Sequence, residues 1–317
     1  MVLLERTEKS NDKKRVILST DPGIDDIAAT TFLLFDPQVD LRMIVATWGN
    51  VSLKYTLQNA LKLETFLHTK VPVVVGANQP LVRPAISAAS VHGETGIAGY
   101  EFPKEDTSLI KKGLAATLMH EEIQNSPEKV TLMGIGPLTD FALLFKQYPE
   151  DLEKIEEIVI MGGNIGHGNH SPFAEYNIAG DPEAAQIVLQ SGLPTRIAPL
   201  EIGNKAHITA SELDKIKACG EVGNMLYSLF SNIHEPDGDE RIKIYDPTAV
   251  GILLHPEFFD LKPAHIEIEL AGRYTYGASV MDFLSDNPNT EVAADVDTQK
   301  FAEWFIEEIK QADQGRK

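Results

Sequence analysis

Short apolar runs that end in polar clusters, each followed by a helix-length segment, constrain this chain more than any other feature. The first is Arg15-Val16-Ile17-Leu18-Ser19-Thr20, which lacks the alternation of a half-exposed strand. Runs of the same kind recur at 41–47, 71–75, 129–133, 157–161, 195–198, 265–270 and 291–296, several separated by helix-length segments such as 27–34 and 53–67. Strands buried on both faces and alternating with helices predict an α/β fold, an open and mostly parallel sheet covered by helices. No linker rich in Gly, Ser or Pro divides the chain, and no fixed-period repeat appears. One domain over 15–317 is therefore expected, behind a mobile polar tail at 1–14. Two long segments, 77–103 and 231–246, have no clear period and read either as active-site lids or as plain surface loops.

Composition excludes several function classes. With 28 Lys and Arg against 47 Asp and Glu, the net charge of −19 argues against a protein that tracks a nucleic-acid backbone. The lone cysteine, Cys219, permits no intrachain disulfide, and no stretch of eighteen apolar residues offers a membrane span. Met1-Val2-Leu3-Leu4 runs straight into Glu5-Arg6-Thr7-Glu8-Lys9, so no secretory h-region is present and a cytoplasmic location is expected.

Ligands of open α/β sheets bind beyond the carboxyl ends of the strands, and there this sequence is rich in chemistry. The first run leads into Asp21-Pro22-Gly23-Ile24-Asp25-Asp26 and the second into Trp48-Gly49-Asn50; later ones lead into Gly134-Ile135-Gly136-Pro137-Leu138-Thr139 and Gly162-Gly163-Asn164. A plain reading of the acidic cluster makes Asp21 an N-cap, Pro22 the first helical residue, and Asp25 and Asp26 partners of the helix dipole. The chemical reading is that three carboxylates within six residues repel one another unless something positive sits among them. A hard divalent cation, Ca²⁺ or Mg²⁺, suits oxygen donors, whereas the nine histidines and single cysteine show no zinc spacing. Asp246, in Ile244-Tyr245-Asp246-Pro247-Thr248-Ala249-Val250, is a further acid whose plain reading is again an N-cap before proline. The segment Gly168-Asn169-His170-Ser171-Pro172-Phe173-Ala174-Glu175-Tyr176-Asn177 supplies amides and a carboxylate that suit vicinal hydroxyls, or else a capped loop before Asp181-Pro182-Glu183-Ala184.

Taken together, these segments resemble the inosine-uridine preferring nucleoside hydrolase family. Thr20-Asp21-Pro22-Gly23-Ile24-Asp25-Asp26 resembles its amino-terminal signature and Gly136-Pro137-Leu138-Thr139 its central turn. Met161-Gly162-Gly163, Ala174-Glu175-Tyr176-Asn177 and Asp181-Pro182-Glu183-Ala184-Ala185 resemble its sugar-binding region. Asp246-Pro247 and Glu291-Val292-Ala293-Ala294-Asp295-Val296-Asp297 complete the order, and the likeness covers roughly residues 15 to 310. It implies a Rossmann-like core and cleavage of the N-glycosidic bond of ribonucleosides with one bound Ca²⁺. It further implies that Asp21, Asp26, Asp246 and the carbonyl of Ile135 ligate calcium, with Asp21 also the general base. Asp25 and Asn177 would hold the ribose 2′- and 3′-hydroxyls, Asn50 would support the sugar, and Asn169 and Glu175 would take the 5′-hydroxyl. A homodimer or homotetramer is expected on the same ground.

Two positions depart from the family pattern. Ser19 stands where the signature carries a first Asp, which shortens a partner of the metal site and predicts weaker metal affinity. Tyr245 stands where a His commonly protonates the leaving base. The leaving-group role then falls to the Tyr245 hydroxyl, or to His92 in Val91-His92-Gly93-Glu94-Thr95-Gly96, a lid histidine that is otherwise merely solvated; His234 is a weaker candidate. An aspartyl phosphatase is set aside because its signature needs Asp where Gly23 stands. A catalytically idle relative that binds nucleosides or pentoses is the rival from another class, opposed by the intact set Asp21, Asp25, Asp26, Asn177 and Asp246.

Overall fold

The structure, a computed structural model, describes residues 13–88, 93–233 and 241–317. The chain opens with β1 (Lys14–Thr20), α1 (Ile24–Phe35), β2 (Val39–Ala46), α2 (Leu53–Leu67), β3 (Val73–Val75) and β4 (Ile110–Lys111). It continues through α3 (Ala115–Asn125), β5 (Val130–Gly134), α4 (Thr139–Gln147), β6 (Ile155–Met161), α5 (Tyr176–Gly180), α6 (Pro182–Leu189) and β7 (Thr195–Ala198). Then follow α7 (Leu200–Lys205), β8 (His207–Ile208), α8 (Ala210–Lys217), α9 (Gly220–Phe230), β9 (Ile242–Lys243) and α10 (Asp246–Leu254). The last elements are β10 (Phe259–Ile268), β11 (Ser279–Asp282), β12 (Thr290–Val296) and α11 (Thr298–Arg316).

Ten strands form one sheet in the order β11-β10-β12-β7-β6-β5-β1-β2-β3-β4, and β8 pairs with β9 in a separate two-stranded sheet. Pairing is parallel from β4 across to β12; β10 runs antiparallel to both β12 and β11. Alternation along β1 explains its continuous apolar run, since Val16 and Leu18 enter the core beneath α1, α10 and α11 while Ile17 enters the core beneath α3, α4 and α6. The first of these cores is anchored by Phe32 of α1, whose ring meets Trp304 and Phe305 of α11 edge-on at centroid distances of 5.4 and 4.9 Å. From β1 the chain adds β2, β3 and β4 on one side, then returns to lay β5, β6 and β7 on the other. The switch point of the sheet thus lies between β1 and β5, the point at which open α/β sheets form a ligand crevice beyond the carboxyl ends of their strands. No helix among the described residues is long and apolar enough to cross a membrane.

Several boundaries differ from expectation. β1 begins at Lys14, pairing with Val39, one residue before the expected start of the domain; residues 1–12 lie outside those described. β10 starts at Phe259, well before the apolar run that signals it, because Asp260, Lys262 and Pro263 break the run while register with β12 holds the segment extended. Pro263 lies where β12 alone is paired with β10, so its missing N–H costs little. The N-cap of α1 is Gly23, not Asp21, and that of α10 is Tyr245, not Asp246.

Candidate active site

Asp21 follows the last residue of β1 and sits 1% exposed, walled by glycine. A Cβ on Gly49 would come within 1.9 Å of Asp21 Oδ2, and one on Gly136 within 2.3 Å of Oδ1, so both neighbouring loops need glycine to approach the carboxylate. Asn50, just beyond β2, donates its backbone N–H to Asp21 Oδ2 at 2.7 Å, and its side-chain amide reaches the Asp21 carbonyl and Asp26 Oδ2, both at 3.1 Å. Asp26 lies in the first turn of α1, where its carboxylate accepts from Thr20 Oγ1 at 2.6 Å, Gly23 N at 2.9 Å and Asp21 N at 3.2 Å. The acidic motif therefore caps its own helix through Asp26 while leaving Asp21 Oδ1 buried without a hydrogen-bonding partner among the described residues.

The other side of the crevice is built from β5 and β6. Ile135 continues β5 and donates its N–H to the Ser19 carbonyl of β1 at 3.0 Å. Its own carbonyl accepts from Asn177 Nδ2 at 3.0 Å, and the same amide reaches the Met161 carbonyl at 3.1 Å. Glu175 caps α5, taking N–H groups of Asn177, Gly163 and Ile178 at 2.8, 2.9 and 3.1 Å. Burial pushes its carboxyl up to about 7, with those amides opposing the rise.

Asp246 enters from a remote part of the sequence because α10 packs on α1, with all nine α10 residues buried. Asp25, Asp26 and Asp246 present carboxylate oxygens that all lie within 4.8 Å of one another. Burial first, then repulsion from Asp25, Asp26 and Asp21, holds the Asp246 carboxyl well above the usual carboxylate range. Asp21 is raised in the same way, by burial and then by Asp26. Oxygen-only donors, mutual repulsion and the orphaned Asp21 Oδ1 together fit a hard divalent cation. The tightest acidic group contains Asp25, expected at the ribose, and omits Asp21, which adjoins it through Asp26.

Other expected residues are less central. Asn169 is exposed, its Oδ1 accepting the Tyr176 N–H at 2.8 Å. Tyr245 is half-buried against Gly203, where an added Cβ would fall 2.0 Å from the ring, and its hydroxyl bonds Asn204 Oδ1 at 3.0 Å. Ser19 is buried, with its hydroxyl unpartnered among the described residues. His92 and His234 lie outside the described residues. Of the 77–103 segment, Ala88 N donates to the Asn50 carbonyl at 2.9 Å, Leu81 N to Asp181 Oδ2 at 2.9 Å, and Arg83 stacks on Tyr276 with 3.8 Å to the ring centroid. Two contributors escaped the sequence reading. Asn59 of α2 donates to the Pro22 and Thr95 carbonyls at 2.9 and 2.7 Å, and the Tyr176 hydroxyl donates to the Gly49 carbonyl at 2.9 Å. Both act on backbone oxygens, which carry no residue signature.

Comparison with known proteins agrees in sequence and in shape. The profile of the inosine-uridine preferring nucleoside hydrolase family matches residues 16–303. A non-specific ribonucleoside hydrolase RihC of Klebsiella pneumoniae is 41% identical over 93% of this chain and 97% of the relative. The protein of the same name from Escherichia coli is 40% identical over 92% and 97%. A purine-preferring ribonucleoside hydrolase structure from Gardnerella vaginalis superposes with a TM-score of 0.88 at 26% identity, covering 95% of this chain and 100% of that one.

Proposed function

The chain belongs to the inosine-uridine preferring nucleoside hydrolase family, and on that premise we propose that it hydrolyses ribonucleosides to ribose and free base in the crevice between β1 and β5, with Ca²⁺ as its metal. The observation that carries this reading is the buried group Asp25, Asp26 and Asp246 beside Asp21 Oδ1, a set of oxygen donors whose charges need a cation. Asp21, Asp26, Asp246 and the Ile135 carbonyl would hold the metal. The chemistry such a cation supplies when bound is a lowered pKa for a water beside it.

Asp21 accepts the proton of the attacking water as the bond from its oxygen to C1′ forms and the bond from C1′ to the base nitrogen breaks. General-base assistance of this kind is worth about 10²–10⁴-fold, or roughly 3–5 kcal/mol. Positive charge develops on the sugar ring in the transition state, and the surrounding carboxylates stabilise it. Asp25 and Asn177 take the 2′- and 3′-hydroxyls, Asn50 supports the ring, and Asn169 and Glu175 take the 5′-hydroxyl. The Tyr245 hydroxyl assists departure of the base. Both RihC relatives carry the name non-specific, which supports acceptance of purine and pyrimidine nucleosides alike. The homodimer or homotetramer expected of a family member is proposed with it and is read by light scattering.

A reducing-sugar screen across inosine, adenosine, guanosine, uridine and cytidine tests the reading. Calcium-supplemented protein should release ribose from members of both base classes and lose that ability after exhaustive chelation. Silence on all five nucleosides would overturn it.

A further inference from the structure

The Tyr176 hydroxyl reaches across the mouth of the sheet. Tyr176 opens α5, beyond β6, whereas its acceptor, the Gly49 carbonyl, lies beyond β2, and β5 and β1 separate those two strands. The bond is 2.9 Å long and joins residues 127 apart in sequence. Its acceptor belongs to the very peptide whose N–H, that of Asn50, donates to Asp21 Oδ2 at 2.7 Å. One peptide unit is therefore held at both ends, by a phenol on its oxygen and a carboxylate on its hydrogen. Hydrogen bonds in series polarise each other, so the Tyr176 donation strengthens the Asn50 donation onward to Asp21.

We propose that Tyr176 is a positioning residue for hydrolysis: its hydroxyl fixes the Gly49–Asn50 peptide so that the Asn50 amide occupies one oxygen of Asp21 and leaves the other to face the metal and the attacking water. The remaining geometry agrees. Asp21 Oδ2 is occupied, whereas Oδ1 is buried and unpartnered among the described residues. The Gly49 Cα abuts the carboxylate so closely that an added Cβ would fall 1.9 Å from Oδ2, which leaves the peptide no room to shift toward it. Ala88 N also holds the Asn50 carbonyl at 2.9 Å. Without the phenol, the Gly49 carbonyl loses its side-chain donor and the peptide gains freedom to rotate. The carboxylate would then divide its oxygens less strictly between amide and water.

This inference rests on the assignment of Asp21 as base, and its test separates the two. Tyr176→Phe removes one oxygen atom and keeps the ring. In calcium-supplemented enzyme, with inosine and uridine as substrates, kcat should fall about fivefold to tenfold, the equivalent of one hydrogen bond, while KM stays within about twofold. Bound calcium should not change, and the Asn50 amide should exchange its hydrogen faster. An unchanged kcat overturns the proposal, and so does a loss that appears in KM, which would make Tyr176 a sugar contact, or one that follows loss of calcium. Asp21→Asn is measured alongside. If it keeps turnover, the base assignment fails and takes the proposal with it; if it collapses while Tyr176→Phe turns over normally and protects Asn50 as before, only the positioning role fails.

Discussion

The two oxygens of Asp21 differ, since Asn50 occupies Oδ2 at 2.7 Å and Oδ1 is buried with no hydrogen-bonding partner among the described residues. The second is the oxygen turned toward the proposed metal and the water whose proton it would take. Asp21→Asn keeps the shape and most of the packing but cannot accept that proton, so kcat should drop by about 10² or more with calcium still bound. Near-normal turnover with the metal in place would assign the base elsewhere. Tyr245 presents a different case, because its hydroxyl already bonds Asn204 Oδ1. Tyr245→Phe should slow hydrolysis of natural nucleosides by roughly tenfold while sparing a nitrophenyl riboside, whose leaving group needs no proton. Equal losses on both substrates would show that Tyr245 acts through its neighbour Asp246. Residues of these kinds were legible to different degrees. Asp21, Asp25 and Asp26 announce themselves because they fall within six residues and follow a buried run. Asp246 and Asn177 are remote from that cluster in sequence, and the roles proposed for them come from a resemblance that spans the chain. Tyr176 stands within the Ala174-Glu175-Tyr176-Asn177 segment, but its contact was not legible, because its partner is a main-chain carbonyl brought near by the order of strands.

Elements whose own apolar pattern decides their state were read closely from sequence, as with α2 at Leu53–Leu67 and β7 at Thr195–Ala198. Elements whose state is decided by a neighbour were not. β4 is two residues long and extended because β3 pairs with it, and the first half of β10 is imposed by β12. Helix α2 also buries a charge its pattern does not announce. Glu64 is fully buried, accepts the Val71 N–H at 3.0 Å, and is pushed up to about 7 by desolvation. A carboxyl whose folded pKa stands above its unfolded value holds its proton more tightly in the folded state. Its cost is therefore absent below the ordinary carboxylate pKa and grows as pH rises to about 7, where the shift corresponds to roughly 3 kcal/mol. Glu64→Gln keeps an acceptor for Val71 and never ionises. Urea unfolding in saturating calcium should show parent and variant nearly equal at pH 5, with the variant more stable by about 1–3 kcal/mol at pH 8. Equal stability at both pH values would mean that the folded protein accommodates the Glu64 charge without penalty.

Across the whole molecule, the sheet order delivers to one crevice carboxylates that the sequence keeps far apart, in a chain whose net charge is already −19. α1 carries Asp25 and Asp26, and α10, buried on every side, brings Asp246 against them. Packing those helices together concentrates negative charge in a dry interior, which opposes folding unless a cation offsets it. Metal binding and fold stability are coupled for that reason, because a ligand held by the native state alone stabilises it by mass action. At a calcium concentration about a hundred times its dissociation constant the gain is roughly 2.7 kcal/mol, which for a chain of this length raises the melting temperature on the order of 5 °C. Purified protein should accordingly carry one calcium per chain by elemental analysis. Exhaustive chelation should lower its melting temperature and abolish ribose release, and added Ca²⁺ should restore both. Asp246→Asn removes one charge from the metal's surroundings, so it should lose calcium at lower chelator concentrations than the parent. Ser19, uncharged where the family signature has a carboxylate, sets the expectation that Ser19→Asp shifts retention the opposite way. Calcium-free protein with an unchanged melting temperature and full activity would show that the carboxylates are neutralised by their own protons, and the metal would have to be given up.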